Sequence, residues 1–281
     1  MTVRRMSAAT RAYFHDIRHP NDSRGNFLRW AAQIPFRSYI GARAVERHAQ
    51  GAVPDAWARD MAGKRVLVVG SGPSLDKVGP EFFAGFDTVF YINFAIRRAT
   101  GAGAEYFYTT DVGPMQEYIE AFGADVFERL GPDHCICAPI FPDQWLVLTD
   151  RGRALFTWVR PDAWAWRWQL VTVGSRRLPL VGRYQPRQPD WSSWRLQRGG
   201  RTISIIEHTS ALSAVLLAAT HGAGEIGLIG CDFSTGRAQL VGNAQESPTA
   251  VTFSGAADTF RAMQAALARD NVTVTNHSWQ V

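Results

Sequence analysis

The sequence contains few residues of several kinds, and each scarcity excludes a class of protein. Its 281 residues include only 3 Cys, which is too few for a disulfide framework and favours a reducing compartment such as the cytoplasm. The longest apolar runs, Ile203 to Ile206 and Ala211 to Ala219, fall far short of the ~20 residues that a membrane span needs. The arginine-bearing N-terminus has no apolar stretch of the kind found in a secretory signal, so we expect none.

Lysine is also scarce, because Lys64 and Lys77 are the only lysines among the 30 basic residues. The formal net charge is +5 and the pI is about 9.4. The segment 151–201 contains 11 arginines, two acidic residues and six of the 10 tryptophans, so its charge is 11 minus 2, or +9. The rest of the chain therefore sums to −4. The basic character belongs mainly to this one insert.

Alternating strand and helix patterns predict an α/β fold, namely a Rossmann-like, doubly wound, mostly parallel sheet. Short apolar runs rich in β-branched residues predict buried strands, and longer runs with 3.6-residue periodicity predict helices. The predicted strands are 65–70, 88–92, 105–109, 134–139, 225–230 and 272–275, and the predicted helices are 74–84, 114–122, 209–221 and 256–269.

The same patterns divide the chain into three parts. Residues 1–62 form an N-terminal helical extension, 63–145 and 203–281 form the Rossmann-like nucleotide-binding domain, and 146–202 form an inserted Arg/Trp-rich lid of strands or irregular chain. Within the extension, Asn26 to Ala49 is typical of short amphipathic helices interrupted at Pro35. These helices either pack on the main domain or dock on an anionic membrane surface.

A glycine-rich turn follows the first predicted strand and is the most specific local motif. Glycines allow backbone N–H groups to approach a phosphate, and a following helix N-terminus adds positive potential. A tight turn with a purely structural role is the alternative interpretation. The candidate binding residues of the turn are Gly70, Ser71, Gly72, Pro73 and Ser74.

Two common nucleotide motifs do not fit this turn. A dinucleotide fingerprint needs a third glycine where Leu75 stands, and an acidic residue near the end of the second strand, where Asn93 stands. A P-loop needs Gly-Lys-Ser/Thr, which is absent. The sequence therefore disfavours NAD and kinase-type ATP sites.

Further polar residues follow other predicted strands or begin a predicted helix. Because the carboxyl ends of parallel strands meet at one edge, we expect these side chains to converge there, although each could also cap a helix or stabilise a turn. No His or acidic residues have metal-ligand spacing, so we predict no metal site. The polar residues that we expect to converge at this edge are Asn93, Thr110, Asp111, Thr209, Ser210 and Asp232.

Two stretches of the chain resemble the bacterial sialyltransferases of glycosyltransferase family 42. The first is Val66 to Leu75 together with Tyr91 to Phe94, and the second is His208 to Ala219 followed by Gly224 to Phe233. The resemblance covers about 65–125 and 203–270, and excludes the N-terminal extension and the lid. It implies a CMP-activated sugar as donor substrate, with no metal and no further cofactor.

The resemblance also implies roles for individual residues. Ser71, Gly72 and Ser74 would approach the ribose and phosphate of CMP. Asn93 and Asp111 would contact nucleotide hydroxyls or groups near the phosphate, although the family has asparagine where Asp111 stands. Thr209 and Ser210 would lie on the cytosine side.

Other positions depart from the family pattern. The tyrosine expected after Asp-Phe is Ser234, a second lid tyrosine finds only Leu240, and the catalytic histidine aligns near Phe253 and Ser254. A general base must still deprotonate the acceptor hydroxyl. His208 is the first candidate for this base, because histidine titrates near neutrality; its rivals are Asp111, Glu246 and Asp258.

We therefore expect a glycosyltransferase that places a sialic-acid-like sugar or Kdo on a bacterial surface glycan or glycolipid. One alternative is diphosphate transfer by a relative of motility accessory factors and a pterin diphosphokinase, which carry a similar turn. The other is a catalytically silent module that binds an anionic glycan. We expect a cytoplasmic protein and no nucleic-acid partner, and leave open a homo-oligomer and peripheral contact with the inner membrane.

Overall fold

The computed structural model describes residues 24–49, 54–100, 103–111, 119, 123–148, 150–161, 164–173, 176–200, 202–204, 206, 209–233 and 255–280. Within these ranges, only the backbone is described for 24–32, 147, 161–186 and 202–203.

The described elements alternate between strands and helices for most of the chain. The helices are α1 (Arg24–His48), α2 (Asp55–Met61), α3 (Pro80–Phe83), α4 (Asp125–Leu130), α5 (Asp150–Ala154), α6 (Ser210–Thr220) and α7 (Ala256–Ala268). The strands are β1 (Arg65–Val69), β2 (Thr88–Ile92), β3 (Ala104–Thr109), β4 (Cys135–Cys137), β5 (Thr157–Trp158), β6 (Arg160–Pro161), β7 (Trp164–Val173), β8 (Arg176–Pro186), β9 (Thr202–Ile203), β10 (Glu225–Ile229) and β11 (Thr273–Asn276). Short 3₁₀ turns span Pro73–Lys77, Asn93–Arg98, Pro132–His134, Pro142–Val147 and His277–Trp279.

The main sheet has seven strands in the order β11-β10-β1-β2-β3-β4-β5, and all of its neighbouring pairs are parallel. From β1 the chain adds β2 to β5 on one side, and later β10 and β11 on the other. The predicted doubly wound α/β fold is confirmed. The short strand β5 extends this sheet from within the range that the sequence assigned to the lid.

Two apolar layers cover the faces of the main sheet. In one layer, side chains of α2, α6 and α7 pack against the sheet. The other layer includes side chains of α1 and α4, and Phe156, which follows α5. Every residue of α6 is buried. Strands covered on both faces need continuous apolar sequence, which β1 and β2 supply with Val66 to Val69 and Val89 to Ile92.

The N-terminal helix differs from the prediction at one point. The sequence predicted an interruption at Pro35, but α1 continues through it as one helix of 25 residues. A proline inside a helix removes one backbone hydrogen bond. Burial of Ile34 before the proline and of Ser38 and Val45 after it supports the helix on both sides of the missing hydrogen bond.

The range 146–202, which the sequence predicts to be a lid, contains a long antiparallel hairpin, as one of the two interpretations of its sequence predicted. Strands β7 and β8 pair from Trp164 opposite Pro186 to Val173 opposite Arg176, with an irregularity between Leu170 and Thr172. This hairpin is separate from the main sheet, and β8 contacts α1. Of the helices that the structure describes, none is long and apolar enough to cross a membrane.

Candidate functional site

The carboxyl ends of the central strands carry the polar residues that the sequence predicted. Ser71 follows β1, Asn93 follows β2, Thr110 and Asp111 follow β3, and Asp232 follows β10. Because these four strands are parallel neighbours, all of these residues lie at one edge of the sheet. Ligands of open α/β sheets bind at this edge, close to the point where the strand order reverses.

The loops after β1 and β10 are closed against each other. The N–H group of Gly72 donates to the carbonyl oxygen of Gly230 at 2.7 Å. A Cβ atom on Gly72 would overlap the Asp232 carboxylate, and one on Gly230 would overlap the carbonyl of Gly70. Gly230 also has a φ of 66°, which favours glycine. Close packing of the two loops therefore requires these glycines.

Ser74 and Asp232 bind each other inside this closed junction. The Ser74 hydroxyl donates to Asp232 Oδ2 at 2.9 Å and accepts from the N–H group of Gly230 at 3.0 Å. The N–H group of Ser74 lies 3.3 Å from both carboxylate oxygens. Ser74 is completely buried. These contacts give both residues a structural role, and their predicted role in nucleotide binding stays a prediction.

The predicted helix 74–84 is wrong. The chain forms a 3₁₀ turn over Pro73–Lys77 and then the four-residue helix α3. Gly79 is extended, with φ −94° and ψ 179°, because the residue before a proline is disfavoured in the α region and Pro80 follows. Pro73 begins the 3₁₀ turn. A long helix dipole behind the glycine turn is consequently absent from this described part of the chain.

A long helix does begin at the same edge further along the chain. Thr209 is the N-cap of α6, and its hydroxyl accepts from the N–H group of Ala211 at 3.2 Å. The predicted start of this helix is confirmed. Because α6 has 11 residues, its N-terminus supplies positive potential next to the ends of the strands.

Thr110 and Ser210 meet at this N-terminus although they are 100 residues apart in sequence. Their hydroxyl oxygens lie 2.6 Å apart, and the N–H group of Thr110 donates to Ser210 Oγ at 3.2 Å. Thr110 is 4% exposed and Ser210 is 7% exposed. The predicted convergence of the third strand with this helix is therefore confirmed for these two residues.

Asp111 has a partner that the sequence did not predict. Gln144, in the 3₁₀ turn after β4, donates from Nε2 to Asp111 Oδ1 at 2.6 Å. Among the described residues no group binds the buried Oε1 atom of Gln144. Thr109 Oγ1 also accepts from the N–H group of Asp111 at 3.1 Å. Nothing in the local sequence distinguishes Gln144 from an ordinary turn residue, so only the fold could reveal this pair.

Asn93 has an unusual backbone and an unsatisfied side chain. Its φ is 51°, in the left-handed region that asparagine tolerates better than most residues. Its Oδ1 atom is buried, and no described residue donates a hydrogen bond to it. Strained backbone and unpaired buried polar atoms both concentrate at functional sites. Oδ1 of Asn93 is therefore an unused hydrogen-bond acceptor at the carboxyl edge of the sheet.

The candidate bases differ in whether the structure describes them and in where they lie. His208 and Glu246 lie outside the described residues, so their proposed roles stay predictions. Asp258 lies in the first turn of α7 and binds Arg261 at 2.9 Å, with 85% of its side chain exposed. Of the three rivals to His208, Asp111 alone has a described position at the carboxyl edge of the sheet.

The thiols near this edge are poor nucleophiles. Burial, followed by the negative charge of Asp232, raises the pKa of Cys231 to about 12. Burial, followed by the charge of Asp111, raises the pKa of Cys137 well above its usual value. Both thiols are therefore protonated at neutral pH. In the described part of the chain, no three His, Cys, Asp or Glu residues are grouped as a metal site would require.

No protein-family model matches this chain, and no curated protein matches it either.

Proposed function

We propose that this chain is a metal-independent glycosyltransferase, which transfers a nonulosonic acid or Kdo from a CMP-activated donor to a bacterial surface glycan or glycolipid. The observation that carries the proposal is Asn93, with its left-handed backbone and its buried, unpartnered Oδ1. It directly follows β2, whose neighbour β3 ends where Thr110 meets Ser210. The family resemblance supplies the donor class.

The closed junction between β1 and β10 narrows the region where the donor would bind. Ser74 and Asp232 are occupied by each other, whereas Ser71, Asn93, Asp111 and Thr209 are all partly exposed. We therefore assign the donor to the ends of β1, β2 and β3. In this arrangement the side-chain oxygen Oδ1 of Asn93 accepts a hydrogen bond from a hydroxyl or amino group of the nucleotide.

The transfer needs a base for the acceptor and stabilisation for the leaving group. The acceptor oxygen forms a bond to the anomeric carbon, the bond from that carbon to the CMP phosphate breaks, and the acceptor proton passes to the base. Asp111 suits this role, because Gln144 fixes one carboxylate oxygen at 2.6 Å. His208 remains the other candidate for the same step.

Charge on the departing CMP would be stabilised by two features. The N-terminus of α6 provides aligned backbone dipoles, and such preorganised groups stabilise charge that develops in the transition state. The arginines of the lid would add bidentate contacts to phosphate or to a sugar carboxylate. These arginines would substitute for the tyrosines that the sequence lacks at positions 234 and 240.

A thermal-shift experiment tests the donor class. The purified chain is melted with CMP, CDP, UDP, ADP or ATP, each with and without magnesium. A ligand that binds only the folded state raises the melting temperature. We expect CMP and CDP to raise it equally with and without magnesium, whereas UDP and ADP leave it unchanged.

Asn93 offers a matched pair of variants for the same experiment. Asn93→Gly keeps the left-handed backbone accessible and removes Oδ1, and Asn271→Gly makes the same change at another left-handed residue (φ 59°) beyond α7. We expect the CMP-induced shift to disappear in Asn93→Gly and to persist in Asn271→Gly. Equal shifts in both variants would remove Asn93 from the site.

Two other outcomes would replace the proposal. Stabilisation by ATP only when magnesium is present would favour diphosphate transfer. No shift with any nucleotide would favour a silent module that binds anionic glycans, and the Ser74–Asp232 pair is the observation that supports this alternative. In that case the glycine turn would serve only the packing of two loops.

A further inference from the structure

One face of α1 is apolar and uncovered. Phe36, Tyr39 and Ile40 are 69%, 51% and 37% exposed, and they account for three of the four large apolar side chains that are exposed in the described part of the chain. On the opposite face, Ile34 and Val45 are buried. The helix therefore packs on the protein through one stripe and presents a second apolar stripe to the outside.

The exposed stripe continues into positive charge toward the end of the helix. Residues three, four, seven and eleven positions apart lie on one side of an α-helix, so Arg43 and Arg47 share the side that carries Phe36 and Ile40. Both arginines are exposed. Arg43 binds Glu46 at 3.0 Å, and Glu46 is the only acidic residue of α1, against five arginines. We call Phe36, Tyr39, Ile40, Arg43 and Arg47 the outer stripe.

The hairpin beside α1 has a strongly basic sequence. Strand β8 contacts α1, and the hairpin sequence from Trp164 to Pro186 contains Arg167, Arg176, Arg177 and Arg183 but no acidic residue. Helix and hairpin together thus carry nine arginines against one glutamate. A partner with negative charge fits this region, and a partner with positive charge does not.

We propose that the outer stripe docks the protein on the surface of an anionic lipid bilayer. Aromatic and aliphatic side chains insert at the level of the headgroups, and arginines bind lipid phosphates with paired hydrogen bonds. The stripe has both components in order along one helix. The inference is independent of the nucleotide and of the proposed transferase activity.

Charge favours a bilayer over a second copy of the chain. A two-fold interface places the same patch on both partners, so the exposed Arg43 and Arg47 would meet the same positively charged stripe on the second copy. Anionic lipid instead supplies the opposite charge over the whole area. Three exposed apolar side chains are also too few for the core of a stable dimer interface, which buries about 800 Å² of surface on each partner.

Vesicle flotation tests the proposal. The full chain is mixed with vesicles of phosphatidylcholine alone, or of phosphatidylcholine with phosphatidylglycerol, at low and at high salt. We expect flotation only with phosphatidylglycerol, and weaker flotation at high salt because salt screens the charge. The triple variant Phe36→Ser, Tyr39→Ser and Ile40→Ser should float at least about tenfold less.

A control variant distinguishes lipid binding by the outer stripe from nonspecific binding by any exposed apolar side chain. Trp279→Ser changes the remaining large exposed apolar side chain, which is 45% exposed and lies outside α1, and it should float like the unaltered chain. A thermal melt of each variant checks that it is folded. Because the three substituted residues of the stripe are exposed, we expect the triple variant to melt within a few degrees of the parent.

Several results would overturn the proposal. One is the absence of flotation with anionic vesicles at low salt. Another is flotation of the folded triple variant equal to that of the parent, which would assign lipid binding to the hairpin or elsewhere. A third is a dimer in light scattering that the triple variant abolishes, which would make a second copy the occupant of the stripe. A CMP-induced thermal shift in the same preparations reports separately on the transferase proposal.

Discussion

Gly72 owes its identity to the junction between the loops after β1 and β10. Its backbone, with φ −76° and ψ 164°, suits any residue, but a Cβ atom would overlap the Asp232 carboxylate. Gly72→Ala should therefore lower the free energy of unfolding by roughly 1–3 kcal/mol, the usual cost of overpacking. Urea denaturation without any nucleotide measures this effect.

Gly224→Ala is the control for that substitution. No atom lies within 4 Å of a Cβ added at Gly224, which precedes β10, so we expect little change or slight stabilisation. If Gly72→Ala were as stable as Gly224→Ala, the loops would not need close packing. The glycine turn would then owe its residues to a ligand instead.

His221 makes stability depend on pH. Burial lowers its pKa from 6.5 to about 4, and among the described residues its Nε2 atom has no hydrogen-bond partner. The unfolded chain takes up a proton near pH 6.5, and the folded chain does so only near pH 4. The contribution to stability is thus complete above pH 6.5 and is lost as the pH falls toward 4, by about 2 kcal/mol at pH 5.

His221→Phe tests this dependence. The phenyl ring can keep the edge contact with Trp57, whose ring centroid is 5.2 Å away, but it cannot be protonated. Urea denaturation of both proteins at pH 8 and pH 5 should show a smaller loss of stability in the variant. The other histidines are common to both proteins and cancel in the comparison. Equal losses would mean that His221 is protonated as readily in the folded state.

The polar residues of the site differ in how far sequence could predict them. Thr110 and Ser210 were predictable, because parallel strands bring their ends to one edge and a Thr-Ser pair before an apolar run is a helix start. Gln144 was not, since its only distinguishing feature is its contact with Asp111 at 2.6 Å. The pairing of Ser74 with Asp232 likewise depends on how two loops happen to close.

Among the elements, long apolar patterns were predicted well and short ones were not. Helix α6 starts where its Thr209 cap indicated, and α7 (Ala256–Ala268) matches the predicted 256–269 within a residue. The predicted helix 74–84 was wrong, because Gly79 and Pro80 interrupt it despite the apolar residues around them. The predicted helix 114–122 lies, apart from residue 119, outside the described residues.

Helix α1 is tied to the site through a close backbone contact. A Cβ atom on Gly41 would overlap the carbonyl group of Pro142, which begins the 3₁₀ turn that carries Gln144. In a helix interior, Gly→Ala ordinarily stabilises by roughly 0.5–1 kcal/mol. Here we expect the opposite sign, because the helix must move away from the turn.

Urea denaturation of Gly41→Ala measures that sign. A decrease of about 1–3 kcal/mol in the free energy of unfolding would fit the overlap. Stabilisation of the variant would show that α1 and the turn can separate without cost, and that Gln144 is positioned without help from the helix.

For the whole molecule, composition predicted a lid in the Arg/Trp-rich range, and strand patterns predicted the class of the main sheet, which the structure confirms. Composition could not show that β5 (Thr157–Trp158) joins that sheet from within the Arg/Trp-rich range. Two-residue strands have too little pattern to be recognised. Nor could it show that α1 contacts β8, because contacts between distant segments leave no periodic signal in either of them.

The pairing of β1 with β10 also bears on how the chain is made. The junction between the loops after β1 and β10 joins Ser74 to Asp232, which are 158 residues apart, so this contact has a high entropic cost of loop closure. A ribosome must synthesise the chain as far as β10 (Glu225–Ile229) before β1 gains its second neighbour. Until then one side of β1, with its unpaired backbone groups, is open to other chains. We therefore expect the nascent protein to depend on chaperones until β10 emerges.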